Sequence, residues 1–466
     1  MWGGRFTARH LILIAAVVGF LAIAFKPSVS ADGGGYFAYL HSILVDHDLD
    51  MTDEYAAGSA AHVHLAGGIH THTVTGLPPN QFAIGPAILS MPAYLIALLI
   101  HPNGEPQYGP PFTTAYTLAS LLYGMLALAL AYRLVRKLDF SVDVSLIAVA
   151  AVALTTPLLY YLVYSPSYSH TFSAFMVTLF IYVWWTRRHG RTVAGWLVLG
   201  VIAGLMALVR WQDGALVAVA LLDLQRARWR LLLMAPGALL AFSPQLVVDE
   251  VIFGKLTPGA PSVSFSVFPG HYLDVLFSSL HGLFTWSPVF FAAIVGWWFL
   301  KDRTLRIAFA LCFLIDLAVV GAFVYWYGGF SFGMRFFINL TPFWAIGLAA
   351  LAARLKPWVS WVAIALLSAW NFVLVLSFTY IIKEDVAPGY LGLLQTQSRA
   401  LSYLPHLVQG YVVRGLVGGL VNRGNDVVGA VTVLLLEAII VATVVAFASR
   451  GEPRAEPAAV EAFPRA

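Results

Sequence analysis

Charge is scarce in this chain. Asp, Glu, Lys and Arg supply 11% of its 466 residues, against about 25% in soluble globular domains, and that deficit excludes a water-soluble globule. Cysteine is nearly missing: a lone Cys312 rules out an internal disulfide framework and a cysteine metal site. Basic residues form no extended patch but come in twos and threes between apolar runs, so no nucleic-acid surface is expected. No repeat of fixed period is present, which counts against a transporter built from duplicated halves.

What is there is apolar. Hydrophobic residues make up 60% of the chain, in successive runs near the roughly 20 residues that cross a bilayer as a helix. Such runs lack the alternation of barrel strands. The expected fold class is an all-α polytopic membrane protein.

Lys and Arg placement orders the spans. Arg5 and Arg9 precede the first apolar run, Leu11 to Phe25, and keep its start in the cytoplasm. Val29-Ser30-Ala31 has the form of a signal cleavage site, but a polytopic chain needs no removable signal. Phe82 to Ile100 carries Pro86 and Pro92 and reads as a re-entrant or juxtamembrane segment. If it does not cross, spans follow at 112–132, 142–162, 170–186, 193–209, 211–223, 230–248, 283–300, 305–324, 336–353, 358–378 and 428–448. With the first helix the total is about twelve, both termini inside. The clusters at Arg133/Arg136/Lys137, Arg187/Arg188/Arg191, Arg226/Arg228/Arg230, Lys301/Arg303/Arg306 and Arg354/Lys356 then share the cytoplasmic side. The run 211–223 is short for a span and must tilt, thin the bilayer or extend.

One transmembrane domain, 1–450, is expected, with long external loops at 32–111 and 379–427 and a disordered tail at 451–466 rich in Ala, Glu and Pro. Tyr36 to Val45 suits a short helix lying along the membrane surface.

The first loop opens with Asp32, placed where a carboxylate can take a proton from an attacking hydroxyl at the lipid boundary. It is equally suited to an exposed turn before Gly33-Gly34-Gly35. The acidic run that follows holds Asp46, Asp48, Asp50, Asp53 and Glu54. Carboxylate oxygens suit a hard divalent cation, yet the spacing lacks the glycine and terminal glutamate of a calcium loop, and helix capping explains it as well. His62, His64, His70 and His72 form two His-x-His pairs that read as a hairpin rather than a zinc site. Among external cations, Arg210, Arg335 and Lys255 are candidates for a phosphate, which guanidinium grips bidentately. The alternative is snorkelling or an ion pair, as between Arg210 and Asp213; phosphate binding is the preferred reading for Arg335 and an equal one for Arg210. Ser165-Pro166-Ser167-Tyr168-Ser169-His170 is a polar turn whose Tyr168 and His170 could bind sugar hydroxyls. Asp316 and Glu437 fall mid-span, where acids mark proton paths or bond to a neighbouring helix.

Three patches carry a resemblance: Asp32-x-x-x-Tyr36 after the first helix, Leu77-Pro78-Pro79-Asn80 leading into Phe82-Ala83-Ile84-Gly85-Pro86, and Trp326-Tyr327-Gly328-Gly329 with Gly333-Met334-Arg335. Together with the layout they resemble the GT-C membrane glycosyltransferases, a family that includes lipid A aminoarabinose transferases and protein O-mannosyltransferases. The resemblance implies a polyprenyl-phosphate-linked sugar as donor and a lipid, glycan or protein acceptor. It also implies a site on the periplasmic face of a bacterial inner membrane, Asp32 as base or acceptor-site acid, and Tyr36 as its support. Many members carry a second acid directly after the first, where this chain has Gly33, and a cation before the Pro pair, where it has Leu77. Asp48, Asp50 or Glu54 could stand in for the acid, and Arg210 or Lys255 for the cation. No cofactor is required by this reading, and a divalent cation is left open.

The expected function is inverting glycosyl transfer; the alternative is a transporter or flippase of a lipid-linked substrate, working through Asp316 and Glu437.

Overall fold

The computed structural model describes residues 8–63, 71–256, 264–382, 388–414 and 427–450. The expected tail at 451–466, and His64 and His70 of the histidine pairs, lie outside them.

The described residues form a helical bundle without a named strand. Helix α1, Ala8–Ala24, leads into α2, Asp32–His41, and a π-turn at Ser42–Asp46. Helix α2 does not lie on a surface as expected: every residue from Gly33 to His41 is buried. Two glycines allow this. A Cβ on Gly33 would overlap Ser167, and one on Gly35 would overlap the Phe82 ring. Phe37 then packs edge-on against Tyr94 and Tyr116.

After α3, Thr52–Ala60, comes α4, Gly85–Ile100. Pro86 occupies its first turn, where no N–H is needed, and Pro92 sits inside an otherwise continuous helix. Helix α5, Pro110–Arg136, is the longest at 27 residues. Helix α6, Val142–Thr155, stops before Pro157, so the expected span 142–162 is divided. Thr156 turns extended, as a residue before proline prefers, and Asn371 Nδ2 satisfies the freed carbonyls of Leu154 and Thr156.

Helices α7, His170–Thr186, and α8, Val193–Val209, precede a 13-residue 3-10 segment, Trp211–Asp223. At a rise of ~2.0 Å per residue it reaches about 26 Å, against about 20 Å as an α-helix; tighter winding extends the short apolar run. A brief turn, α9 (Leu224–Ala227), and a second 3-10 stretch at Arg228–Leu233 lead into α10, Met234–Phe253. The apolar stretch Trp211–Phe253 spans 43 residues, but it folds back at Arg228, whose φ is 50°. Gly200 of α8 meets Met234 and Gly204 meets Ala238, so α8 and α10 run parallel. This Gly-x-x-x-Gly pair brings the backbones together as small residues do between membrane helices.

Short helices α11 (Tyr272–Phe277), α12 (Leu283–Trp286) and α13 (Val289–Trp297) divide the expected span 283–300 at Ser287-Pro288. They are followed by α14 (Arg303–Ala322), a 3-10 turn at Arg335–Leu340, α15 (Thr341–Ala352), α16 (Pro357–Tyr380), α17 (Gly389–Ser402), α18 (Leu404–Arg414) and α19 (Val427–Ala448). Six stretches are long and apolar enough to cross a bilayer, and four shorter apolar helices accompany them among the described residues. The chain is thus a multi-pass helical membrane protein.

Two ion pairs define one end of the bundle. Arg188 meets Asp302 at 3.5 Å, and Arg191 meets Asp223 at 3.7 Å, joining the end of α7, the start of α8 and α14, and the end of the 3-10 segment. The other ends of these elements lie at His170, Arg210 and Ala322, and there the candidate residues gather.

Candidate active site

The site is assembled from four chain segments at that opposite end. Ala31 takes φ 48°, a left-handed value uncommon for a residue with a Cβ, and this turns the chain sharply into α2 with Asp32 at its first position. The glycine-rich turn before Arg335 needs the same freedom three times: Gly328, Gly329 and Gly333 have φ of 81°, 68° and 61°. Gly328 also lies so close that a Cβ there would press on Arg335 Nε.

These two turns meet. Arg335 Nη1 donates to Asp32 Oδ2 at 2.6 Å, and Nη2 donates to the Gly328 carbonyl at 2.7 Å. Its Nε has no partner among the described residues. The Tyr168 ring lies 5.2 Å from the guanidinium carbon and supports the charge from behind. On the other side of the loop, His281 Nδ1 donates to the Tyr327 carbonyl at 2.7 Å and pins the turn. Burial holds that imidazole down at about 4, so it is neutral.

Arg210 follows α8. Its Nη1 lies 2.9 Å from His170 Nδ1; because guanidinium only donates, that nitrogen must accept, and His170 carries its proton on Nε2. With the Gln212 amide turned oxygen-inward, Gln212 accepts from Arg210 Nε at 3.2 Å and from Nη2 at 2.6 Å. Beneath them Asp213 accepts from Ser173 at 2.5 Å and from Asn339 at 2.9 Å. This layered arrangement stands where the alternative reading put an Arg210–Asp213 ion pair. Tyr36, in α2, accepts from Ser169 Oγ at 3.0 Å. Burial, then the neighbouring Asp32 charge, raises its phenol above the usual 10, so it stays a neutral hydroxyl.

Asp32, Tyr36, Ser169, His170, Arg210 and Arg335 all line one open cleft of about 120 Å³. Two guanidiniums face one carboxylate there, and His170 is neutral. The cleft therefore favours an anion, while Asp32 offers a proton acceptor.

The structure places the other candidates elsewhere. Asp48 Oδ1 accepts from Ser42 Oγ and from the Asp50 amide, and Asp50 Oδ1 accepts from Thr52 Oγ1 and its amide. Both serve the turn into α3, and neither lines the cleft. Glu54 is fully buried; burial first, then a hydrogen bond with Asp46 and the Asp46 and Asp48 charges, pushes it up to about 8. Lys255 is exposed beyond α10 and also stands outside the cleft. Among the described residues, no group of three or more His, Asp, Glu or Cys side chains has metal-holding geometry. Gln81, Trp211, Gln212 and Phe336 line the cleft without having been picked out as candidates. For Trp211 and Gln212 the signal was adjacency to Arg210.

Asp316 of α14 lies under the cleft near Asp213 and Asn339. Glu437 is buried in α19, which packs on α1 and α5.

No protein family and no curated protein matches the sequence. Among solved structures, the fold is similar to that of ArnT from Cupriavidus metallidurans, crystallised in the apo state. The TM-score is 0.51 at 14% identity, covering 94% of this chain and 76% of that one. At that identity the likeness speaks for the fold, and the resemblance to GT-C enzymes seen in the three motif patches stands at that level.

Proposed function

We propose that this chain is an inverting glycosyltransferase. It would move a sugar from a polyprenyl-phosphate donor to a hydroxyl of a lipid, glycan or protein. The observation that carries the reading is the Asp32–Arg335 pair on the wall of a cleft that also holds Arg210. The ArnT-like fold supports it. The cleft lies at the end of the bundle opposite the basic clusters, which by the positive-inside rule is the periplasmic face of the inner membrane.

The chemistry follows from the pairing. An incoming donor phosphate competes with Asp32 for the Arg335 guanidinium. Once the phosphate holds the guanidinium, Asp32 is released to accept the proton of the acceptor hydroxyl. The acceptor oxygen attacks the anomeric carbon, the bond from that carbon to the phosphate oxygen breaks, and the electron pair leaves with the phosphate. A phosphodiester with one charge becomes a monoester with more, so Arg335 and Arg210 stabilise the transition state above the ground state. Tyr36 positions Asp32's surroundings, and Tyr168 backs Arg335. Two guanidiniums neutralise the leaving group, so the scheme requires no cofactor.

A carrier of lipid-linked substrates would need a site near mid-membrane reachable from both sides. Asp32, Tyr36, His170, Arg210 and Arg335, which line the cleft, gather at one end of the bundle, which favours the enzyme. The test is release of decaprenyl phosphate from a decaprenyl-phosphate hexose by the full chain in nanodiscs, followed by mass spectrometry. Release that disappears in Asp32→Asn is expected. Transfer of the intact lipid across vesicles without release would replace the enzyme by the carrier.

A further inference from the structure

Beside the cleft lies a narrow recess of about 10 Å³, room for one water-sized group, which shares Gln81, Ala83 and Trp211 with it and ends at Asn80, Gln245 and Asp249. The parallel packing of α8 and α10 sets Asp249 and Gln245, near the end of α10, beside Ala207 and Trp211. Trp211, 36% exposed, is the wall common to both spaces.

Asn80 and Gln245 spend their amides within the protein, whereas Asp249 keeps one oxygen unpaired. Asn80 Nδ2 donates to the Gly35 carbonyl at 2.8 Å, and its Oδ1 accepts from the Phe82 amide at 3.2 Å. Gln245 Oε1 accepts from the Ile84 amide at 3.0 Å, and its Nε2 donates to Asp249 Oδ1, also at 3.0 Å. Both amides hold the strand of chain that leads into α4. Asp249 is 1% exposed, and its Oδ2 has no partner among the described residues. A buried carboxylate oxygen left unpaired is costly and rare in a finished core. A ligand that supplies a donor removes that cost.

We infer that this recess is a specificity subsite in which Asp249 Oδ2 accepts a hydrogen bond from one hydroxyl or amino substituent of the transferred sugar, with Trp211 packed on the ring. The inference rests on the glycosyltransferase reading and deepens it. The phosphate stays on Arg335 and Arg210, and the recess is too narrow for a whole ring but admits one substituent. A buried acceptor discriminates strongly, because an analogue lacking the donor leaves the carboxylate unpaired. Asp249 thus selects sugars by the group they carry at a single ring position.

The experiment uses the full chain in nanodiscs and three kinds of probe. These are decaprenyl phosphate alone, decaprenyl-phosphate hexose and pentose parents, and series in which each hydroxyl in turn is replaced by hydrogen or by an amine. In the unmodified protein, removal of one particular hydroxyl or amine is expected to lower kcat/KM by ~10²-fold or more. That loss shrinks in Asp249→Asn and vanishes in Asp249→Ala, while binding of decaprenyl phosphate stays within twofold and reports that the variant is folded. If the selected group is an amine, Asp249→Asn forfeits most of the preference, and the loss depends on salt; if it is a hydroxyl, Asp249→Asn retains part of it without salt dependence. Equal losses across the series in both variants, or no position coupled to Asp249, overturns the subsite. Decaprenyl phosphate bound in an Arg335-dependent way alongside that result leaves the glycosyltransferase reading intact. Failure of the unmodified protein to bind decaprenyl phosphate overturns both.

Discussion

Asp32 and Arg335 are 303 residues apart in the chain and 2.6 Å apart in the structure. Neither is free to act as if alone. The carboxylate is tied up by the guanidinium, and the guanidinium is held by the Gly328 carbonyl against the cleft. In the proposed reaction, base and phosphate clamp are thus one unit, switched by the donor.

The first expectation concerns that unit. Asp32→Asn keeps the shape but loses the charge, so turnover should fall by at least ~10²-fold, while affinity for decaprenyl phosphate holds or tightens because Arg335 is no longer paired. Arg335→Lys should weaken that affinity about tenfold or more, since a point charge cannot bridge Asp32, Gly328 and a phosphate together. Binding and single-turnover measurements on the same preparations separate the two effects. Weaker lipid binding by Asp32→Asn would argue against the exchange.

Gly33 explains why no second acid follows Asp32. Any side chain there would overlap the Oγ and Cβ of Ser167. Gly33→Ala should therefore destabilise the folded protein by ~1–3 kcal/mol, read as a lower thermal midpoint in detergent. Adding Ser167→Gly removes the obstructing atoms and should restore most of the loss. No recovery in the double variant would mean that the glycine serves backbone conformation instead.

Glu54 couples stability to alkaline pH. Its carboxyl is held at about 8, from a usual 4.5, chiefly by burial. The native state keeps a proton that the unfolded state releases above 4.5, so stability contributed by this group is whole below about 4.5 and is lost as pH rises through about 8. The loss should reach a few kcal/mol, roughly 2–4, and Glu54→Gln should flatten the profile over that window in thermal unfolding scans.

His281 acts in the opposite direction. Burial depresses its imidazole from 6.5 to about 4, so its contribution is whole above 6.5 and is lost as pH falls through about 4. Protonation keeps the Nδ1–H bond to Tyr327 but buries a second cation beside Arg335, so the thermal midpoint should decline on the acid side. His281→Leu should remove that acid dependence, at a cost of ~1–3 kcal/mol for the Tyr327 carbonyl left without its donor.

Legibility differed between kinds of information. The helical membrane class followed from apolar runs and scarce charge, because a bilayer penalises charge residue by residue. Arg210 and Arg335 stood out as cations in segments otherwise cleared of positive charge, Asp32 by its place after the first helix and Tyr36 through the GT-C resemblance, and the structure brings them to one cleft. The acidic run looked equally promising in one dimension. Asp48 and Asp50 instead serve a local turn and a helix start, and Lys255 points away. The buried course of α2 was hidden for a related reason: it depends on Ser167 and Phe82 fitting over two glycines, and such fits are not written in local periodicity.

By itself, then, the sequence determined that the chain lives in a membrane, where its basic residues cluster and which few polar residues needed explaining. Each of these rests on local composition or on transfer between water and lipid. The tertiary structure alone decided that Asp32 and Arg335 share one ion pair, that residues 211–223 wind as a 3-10 segment, and that Asp249 ends a recess beside the cleft. These rest on contacts across tens to hundreds of residues, set by close approach at Gly33, Gly200, Gly204 and Gly328, and packing of that kind exists only once the helices have met.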